Sequence, residues 1–301
     1  MPPWQWTVAV NSIKAMAPFQ GELHRLKRVL APSRMEEKYD TQVVPGALEQ
    51  IAAIEAHGVR VKGARVLEIG AGWYPVAALV YRAAGARSVA LTDAHRLLHP
   101  RTLAAATAFV HDRADRLSAA LGVPAAEIRA GLQPPAGLGL AETLDWLGLS
   151  YEAPYDVTRG PEVDIVFSHT VLEHIPPPIL AALFRDLRGK ISPHGMMCHG
   201  VDHTDHRSNH DQSLSQIDFL RYSDAAWRWF CINPQDYTNR LRHPDYVKLL
   251  ADAGFEVRRE HRYVSAGIAA DLASTPLWGR FAQMDPRDLA TTWSLLLAAP
   301  A

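Results

Sequence analysis

Cysteine is almost missing from this chain: 301 residues include only Cys198 and Cys231, with no Cys-x-x-Cys pair. Neither a disulfide framework nor a thiolate zinc site is suggested. A charge excess is missing too. Lys and Arg number 31 against 32 Asp and Glu, for a formal net charge of −1 and a pI near 6.9. Nucleic acid and anionic membrane surfaces are therefore not expected partners. Long apolar runs are also lacking, since none approaches the ~20 residues of a spanning helix. Ala15-Met16-Ala17 mimics a signal cleavage site, but no basic segment precedes it, and Asn11, Ser12 and Lys14 interrupt the apolar stretch that export requires. The expected location is cytoplasmic. No internal repeat is visible, and the length suits one large α/β domain with additions.

What is present centres on Val66-Leu67-Glu68-Ile69-Gly70-Ala71-Gly72-Trp73-Tyr74-Pro75. An apolar run closes in two glycines and continues into a helical pattern, which predicts a buried strand, a tight turn and a helix. A second short strand, Ser88 to Thr92, ends in Asp93, whose carboxylate suits the two hydroxyls of a ribose. The expectation is a nucleoside-bearing cofactor across the carboxyl ends of a parallel sheet. Pro75 stands where a dinucleotide fingerprint wants its third glycine, and it offers no N–H to a phosphate. Glu68, at the strand tip, is poorly matched to pyrophosphate and well matched to a cation. S-adenosylmethionine is such a ligand, with a sulfonium, an ammonium and no phosphate.

Farther along, Val163 to Phe167 forms a fourth strand running into Ser168-His169-Thr170-Val171-Leu172-Glu173-His174. Taken with Glu68-x-Gly70-x-Gly72 and Asp93, this block resembles the class I S-adenosylmethionine-dependent methyltransferases from about Gly63 onward. The resemblance implies an α/β, Rossmann-like, seven-stranded sheet with helices on both faces, its last strand, near Thr291 to Ala298, antiparallel beside the sixth. Residues 1–62 would form an N-terminal helical cap or lid, and 63–301 the cofactor-binding domain. Thr7 to Leu30 reads equally as a dimerisation helix. The implied cofactor contacts are Tyr39 at the amino-acid end, Glu68, Gly70, Gly72, Asp93, Asp156 at the adenine amine, and Ser168 at the strand end. Glu173 and His174 look like local structural residues, with His169 nearer the transfer site. His169-x-x-x-Glu173-His174 is one residue too long for a zincin motif.

After a fifth strand, Gly195 to Val201, the segment Asp202 to Asp211 carries three histidines and three aspartates in ten residues. Three readings stay open: a polar loop with helix caps, a general base (His203 first, then His206 and His169), or a divalent metal held by His203, Asp205, His206 and His210. A continuous helix is expected over Arg101 to Leu121 and a helix-like tract over Leu214 to Phe230. Asn239-Arg240-Leu241-Arg242 resembles a bacterial branch acting on glycans or secondary metabolites, where the arginines would clamp an acidic acceptor; a solvated helix start is the plain alternative. The expected activity is methyl transfer to a hydroxyl or amine of a small-molecule or glycan acceptor, in a biosynthetic setting. The rivals are other chemistry on S-adenosylmethionine, an NAD-dependent oxidoreductase, and a non-catalytic cofactor-binding protein.

Overall fold

The computed structural model describes residues 36–231 and 237–301. Within them, β1 (Arg65–Ile69), β2 (Ser88–Thr92), β3 (Leu149–Glu152), β4 (Val163–His169), β5 (Ile191–Asp202), β6 (Phe255–Val264) and β7 (Thr291–Pro300) form one sheet. Their order is β3-β2-β1-β4-β5-β7-β6. The first five strands are parallel, and β7 runs antiparallel to both β5 and β6. This is the class I methyltransferase fold.

Strand alternation explains how the sheet is covered. Val66, Ile165, Phe167, Met196, Cys198, Leu295 and Leu297 enter one core, together with helices Val44–Ala56, Val76–Ala83, Pro100–Asp112 and Ala114–Leu121. Their neighbours Leu67, Val166, Met197, Val201, Leu296 and Ala298 enter another, under helices Pro177–Arg188 and His243–Asp252. Side chains with a period of two must divide in this way, so each strand feeds both faces. The helix after the glycine turn is apolar except for Arg82 and buries seven residues, as a helix between sheet and neighbouring helices must. Its Tyr81 ring stacks on Phe167 with centroids 4.1 Å apart.

Helix Val44–Ala56 contributes to the first core. Its buried Gln50 donates to the carbonyls of Ser168 (2.8 Å) and Cys198 (3.3 Å). The segment Glu36–Val43 before it borders the site described below. Thr7 to Leu30 lies outside the described residues.

Two helix expectations need correction. The tract over 101–121 is two helices that meet at Arg113, whose guanidinium pairs with Asp40 and lies 3.4 Å over the Phe109 ring. The tract over 214–230 is a 3-10 turn, Asp218–Arg221, and a short helix, Asp224–Phe230. Ser223 separates them because its hydroxyl accepts from Ala226 N–H and starts the second element. Both pieces join a third core, with Ile217, Phe219, Trp227, Ile268 and Phe281. Among the described residues no helix is long and apolar enough to cross a membrane.

Candidate active site

The glycine turn sits at the carboxyl end of β1, where open α/β sheets bind ligands. Gly70 and Ala71 donate to the Thr92 carbonyl at 2.9 and 3.0 Å, and Gly72 donates to Asp93 Oδ2 at 3.0 Å. Asp93 Oδ1 accepts from His95 N–H at 3.3 Å. Gly70 has φ +76°, and a Cβ there would come within 2.5 Å of Val171, so both backbone sign and space require glycine. The turn floors an open cleft walled by Lys38, Tyr39, Val43, Glu68, Trp73, Tyr74, Ala77, His169 and Thr170.

Glu68 is the most unusual group in this wall. It is 5 % exposed, its Oε2 has no hydrogen-bond partner, and burial, followed by the Asp93 charge, pushes its carboxyl up to about 8. Buried polar atoms are normally paired, and a carboxylate left alone is costly. Its side chain shares a sheet face with Gly70 and His169, by the alternation that groups Val66, Ile165 and Phe167.

His169 closes the other side. Its ring lies against helix Val44–Ala56, close enough that a Cβ on Gly46 would sit 2.4 Å from Cε1. Its Nδ1 is buried without a partner. Burial first, then the Lys38 charge, pulls its pKa down to about 4, so the imidazole is neutral at pH 7. Thr170 follows with φ +53°, a conformation that costs a non-glycine residue on the order of 1 kcal/mol and clusters at functional sites.

The remaining expected residues fall elsewhere. Ser168 points to the opposite sheet face, fully buried, with its hydroxyl 2.8 Å from His199 Nδ1. Asp156 caps the turn Val157–Arg159, accepting from Thr158 N–H and hydroxyl at 3.0 and 2.6 Å, and is not among the cleft-lining residues. His203 does not reach the cleft. It is 2 % exposed, with Nε2 2.8 Å from Ser294 Oγ and its ring edge-on to Tyr246, on the far face. Burial and the Arg242 charge hold it well below the ordinary histidine pKa.

The loop set does not converge on an ion. Asp205 is fully buried in a salt bridge with Arg207 at 2.6 Å, and His210 is exposed. Among the described residues, His206 is the one member of the set with a donor cluster, and its companions are Glu173 and His174. Lys38, Trp73, Tyr74 and Thr170 line the cleft and Gly46 abuts the His169 ring, none of them expected there. The aromatic pair lay in plain sight inside the turn, whereas Gly46 gave no local signal.

The Asn-Arg-Leu-Arg block is neither an anion clamp nor a solvated helix start. Arg240 donates to the carbonyls of Phe219 and Tyr222 and to Asp224. Arg242, wholly buried, donates to the carbonyls of His203 (2.6 Å), Leu289 (2.9 Å) and Thr291 (2.6 Å), tying β7 to the loop after β5. Arg242→Leu leaves these carbonyls unpaired, so a loss of about 3–5 kcal/mol in urea unfolding is expected. A change under 1 kcal/mol would contradict this role.

No family model matches the sequence, and no curated protein does either. Among solved structures, the chain is similar to an S-adenosylmethionine-dependent methyltransferase from Mesorhizobium loti, with 16% identity over 85% of this chain and 99% of that one, TM-score 0.46. It is also similar to the magnesium protoporphyrin IX methyltransferase of Synechocystis PCC 6803 with bound SAH, at 14% identity over 93% and 94%, TM-score 0.46. A third is a TehB-like SAM-dependent methyltransferase from Corynebacterium glutamicum, at 10% identity over 93% and 100%, TM-score 0.45.

Proposed function

We propose that the cleft binds S-adenosylmethionine and that the protein transfers its methyl group to a hydroxyl or amine of a small-molecule or glycan acceptor. The observation that carries this reading is Glu68, a buried carboxyl without a partner in the wall beside the glycine turn. A cationic ligand favours the ionised carboxylate and supplies the partner it lacks, whereas a dinucleotide pyrophosphate would disfavour that ionisation. When bound, S-adenosylmethionine supplies an activated methyl group on a good leaving group.

The chain's own residues then have separable tasks. Gly70 and Gly72 leave the backbone open to close approach, and Asp93 keeps acceptor capacity for ribose hydroxyls beyond its bonds to Gly72 and His95. Tyr39, Trp73 and Tyr74 provide an aromatic wall. His169, neutral and lining the cleft, takes the proton that the acceptor's O–H or N–H releases as its heavy atom gains the methyl group. The cleft arrangement favours His169 over His203 and His206 for this role.

Calorimetric titration of the full chain is the test. S-adenosylmethionine should bind to the wild type and at least tenfold more weakly to Asp93→Ala. Binding of NADH with none of S-adenosylmethionine would overturn the reading.

A further inference from the structure

We infer that Glu173, His174 and His206, with Asp202 beside them, form a binding site for a divalent transition-metal ion at the carboxyl edge of β4 and β5. These groups come from three separate pieces of chain: the 3-10 turn Leu172–His174 after β4, the last residue of β5, and the turn His206–Asn209. Nothing local in sequence brings them together, yet one ligand atom from each of the first three lies within 4.8 Å of the others.

Three observations point to a cation. Glu173 is 3 % exposed and neither carboxyl oxygen has a hydrogen-bond partner, so a buried anion-forming group faces the cluster unsatisfied. His174 Nδ1 lies 2.8 Å from the Tyr237 carbonyl, which fixes the ring and leaves Nε2 as its ligand atom. Metal-bound histidines are held in this way, one nitrogen on a backbone carbonyl and the other on the ion. His206 Nε2 lies 3.4 Å from Asp202 Oδ2, while Asp202 Oδ1 is anchored by Thr204 N–H at 2.8 Å and its hydroxyl at 2.7 Å. A carboxylate therefore stands ready to orient the second imidazole or to join it.

Ligands sharing one ion at ~2.0–2.2 Å stand roughly 3–3.5 Å apart, so donors that now lie within 4.8 Å of one another need only close in slightly. His206 and Asp202, both partly exposed, can make that movement by side-chain rotation while His174 stays on the Tyr237 carbonyl. Two imidazoles with carboxylate suit Zn²⁺, Co²⁺, Ni²⁺, Fe²⁺ or Mn²⁺ and do not suit Ca²⁺. An ion held there neutralises Glu173 and ties the turn after β4 to the loop after β5. The competing cation is Lys38, near enough to act electrostatically on both Glu173 and His174.

The inference does not depend on methyl transfer, and its test reads metal directly. Full-length protein stripped with a chelator is dialysed against Co²⁺, and bound cobalt is followed by its visible absorption. The wild type should take up one equivalent. Glu173→Gln and His206→Ala should each bind at least tenfold more weakly, and His210→Ala, altered at an exposed loop position, should bind as the wild type does. His174→Ala provides a surface substitution should the buried variants fail to fold, and it should lose the same affinity. Absence of saturable uptake by the wild type overturns the inference. So does uptake that His174→Ala and Glu173→Gln leave unchanged, or uptake that His210→Ala abolishes.

Discussion

Ligand-free Glu68→Gln should melt several degrees above the wild type at pH 8, while binding S-adenosylmethionine tenfold to a hundredfold more weakly. Both effects follow from one carboxyl. Burial raises its folded-state pKa to about 8, against 4.5 for the free group. The native chain thus holds this proton more tightly than the unfolded chain does. The associated stability is fully present below about pH 4.5 and is lost as pH rises through about 8. Above that, an ionised Glu68 costs on the order of a few kcal/mol, each pKa unit corresponding to ~1.4 kcal/mol. Glutamine has the same shape and no charge, so it removes the penalty. Each kcal/mol moves the melting temperature of a chain of this size by roughly 2–4 °C. The two proteins should melt together near pH 4.5 and separate as pH rises. Losing a charge-assisted contact worth about 1.5–3 kcal/mol weakens binding as stated. Calorimetry in buffers of differing ionisation enthalpy should also detect proton release on binding to the wild type near pH 7. Unchanged affinity in Glu68→Gln would remove this residue from the cofactor site.

The second large effect concerns His169. With any acceptor that supports formation of S-adenosylhomocysteine, His169→Gln should lower kcat by about 10²–10⁴ and leave cofactor affinity within a few-fold. The working form is the neutral ring, which exists above its pKa, and burial has moved that pKa down to about 4. The acid limb of the wild-type rate should therefore lie near pH 4, not near the ordinary histidine value. Gly46→Ala should reproduce much of the loss with the imidazole intact, because the added Cβ would sit 2.4 Å from Cε1 and displace the ring. A rate that declines below pH 6.5 in both wild type and His169→Gln would assign the proton to another group.

The sheet was readable because its strands announce themselves as contiguous apolar runs, and because a glycine turn and a terminal carboxylate follow at fixed spacing. Glu68, Gly70, Gly72 and His169 lie within such stretches, and all four line the cleft. The misplaced residues show where local reading fails. Ser168 adjoins His169, yet one step along a strand reverses the face. The same alternation, continued from His199 and Val201, carries His203 to the far side, so parity held a signal that composition obscured. Asp156 is absorbed by Thr158, two residues on in its own turn, a habit of short polar side chains. Arg240 and Arg242 find partners in remote carbonyls, and Glu173 meets His206 only through the fold. No window of sequence contains those encounters.

The position of β7 has a consequence for how the protein is made. This strand pairs on one side with Met197–Asp202 and on the other with Phe255–Val264. On the ribosome, β5 emerges long before the segment destined to lie beside it. Its row of amides and carbonyls must stay open meanwhile, a template for any other extended chain. This end of the sheet thus closes late, through contacts distant in sequence, and such topologies assemble slowly. A chaperone that shields the β5 edge during synthesis would act at the stage where this molecule is most exposed to pairing with a neighbouring copy.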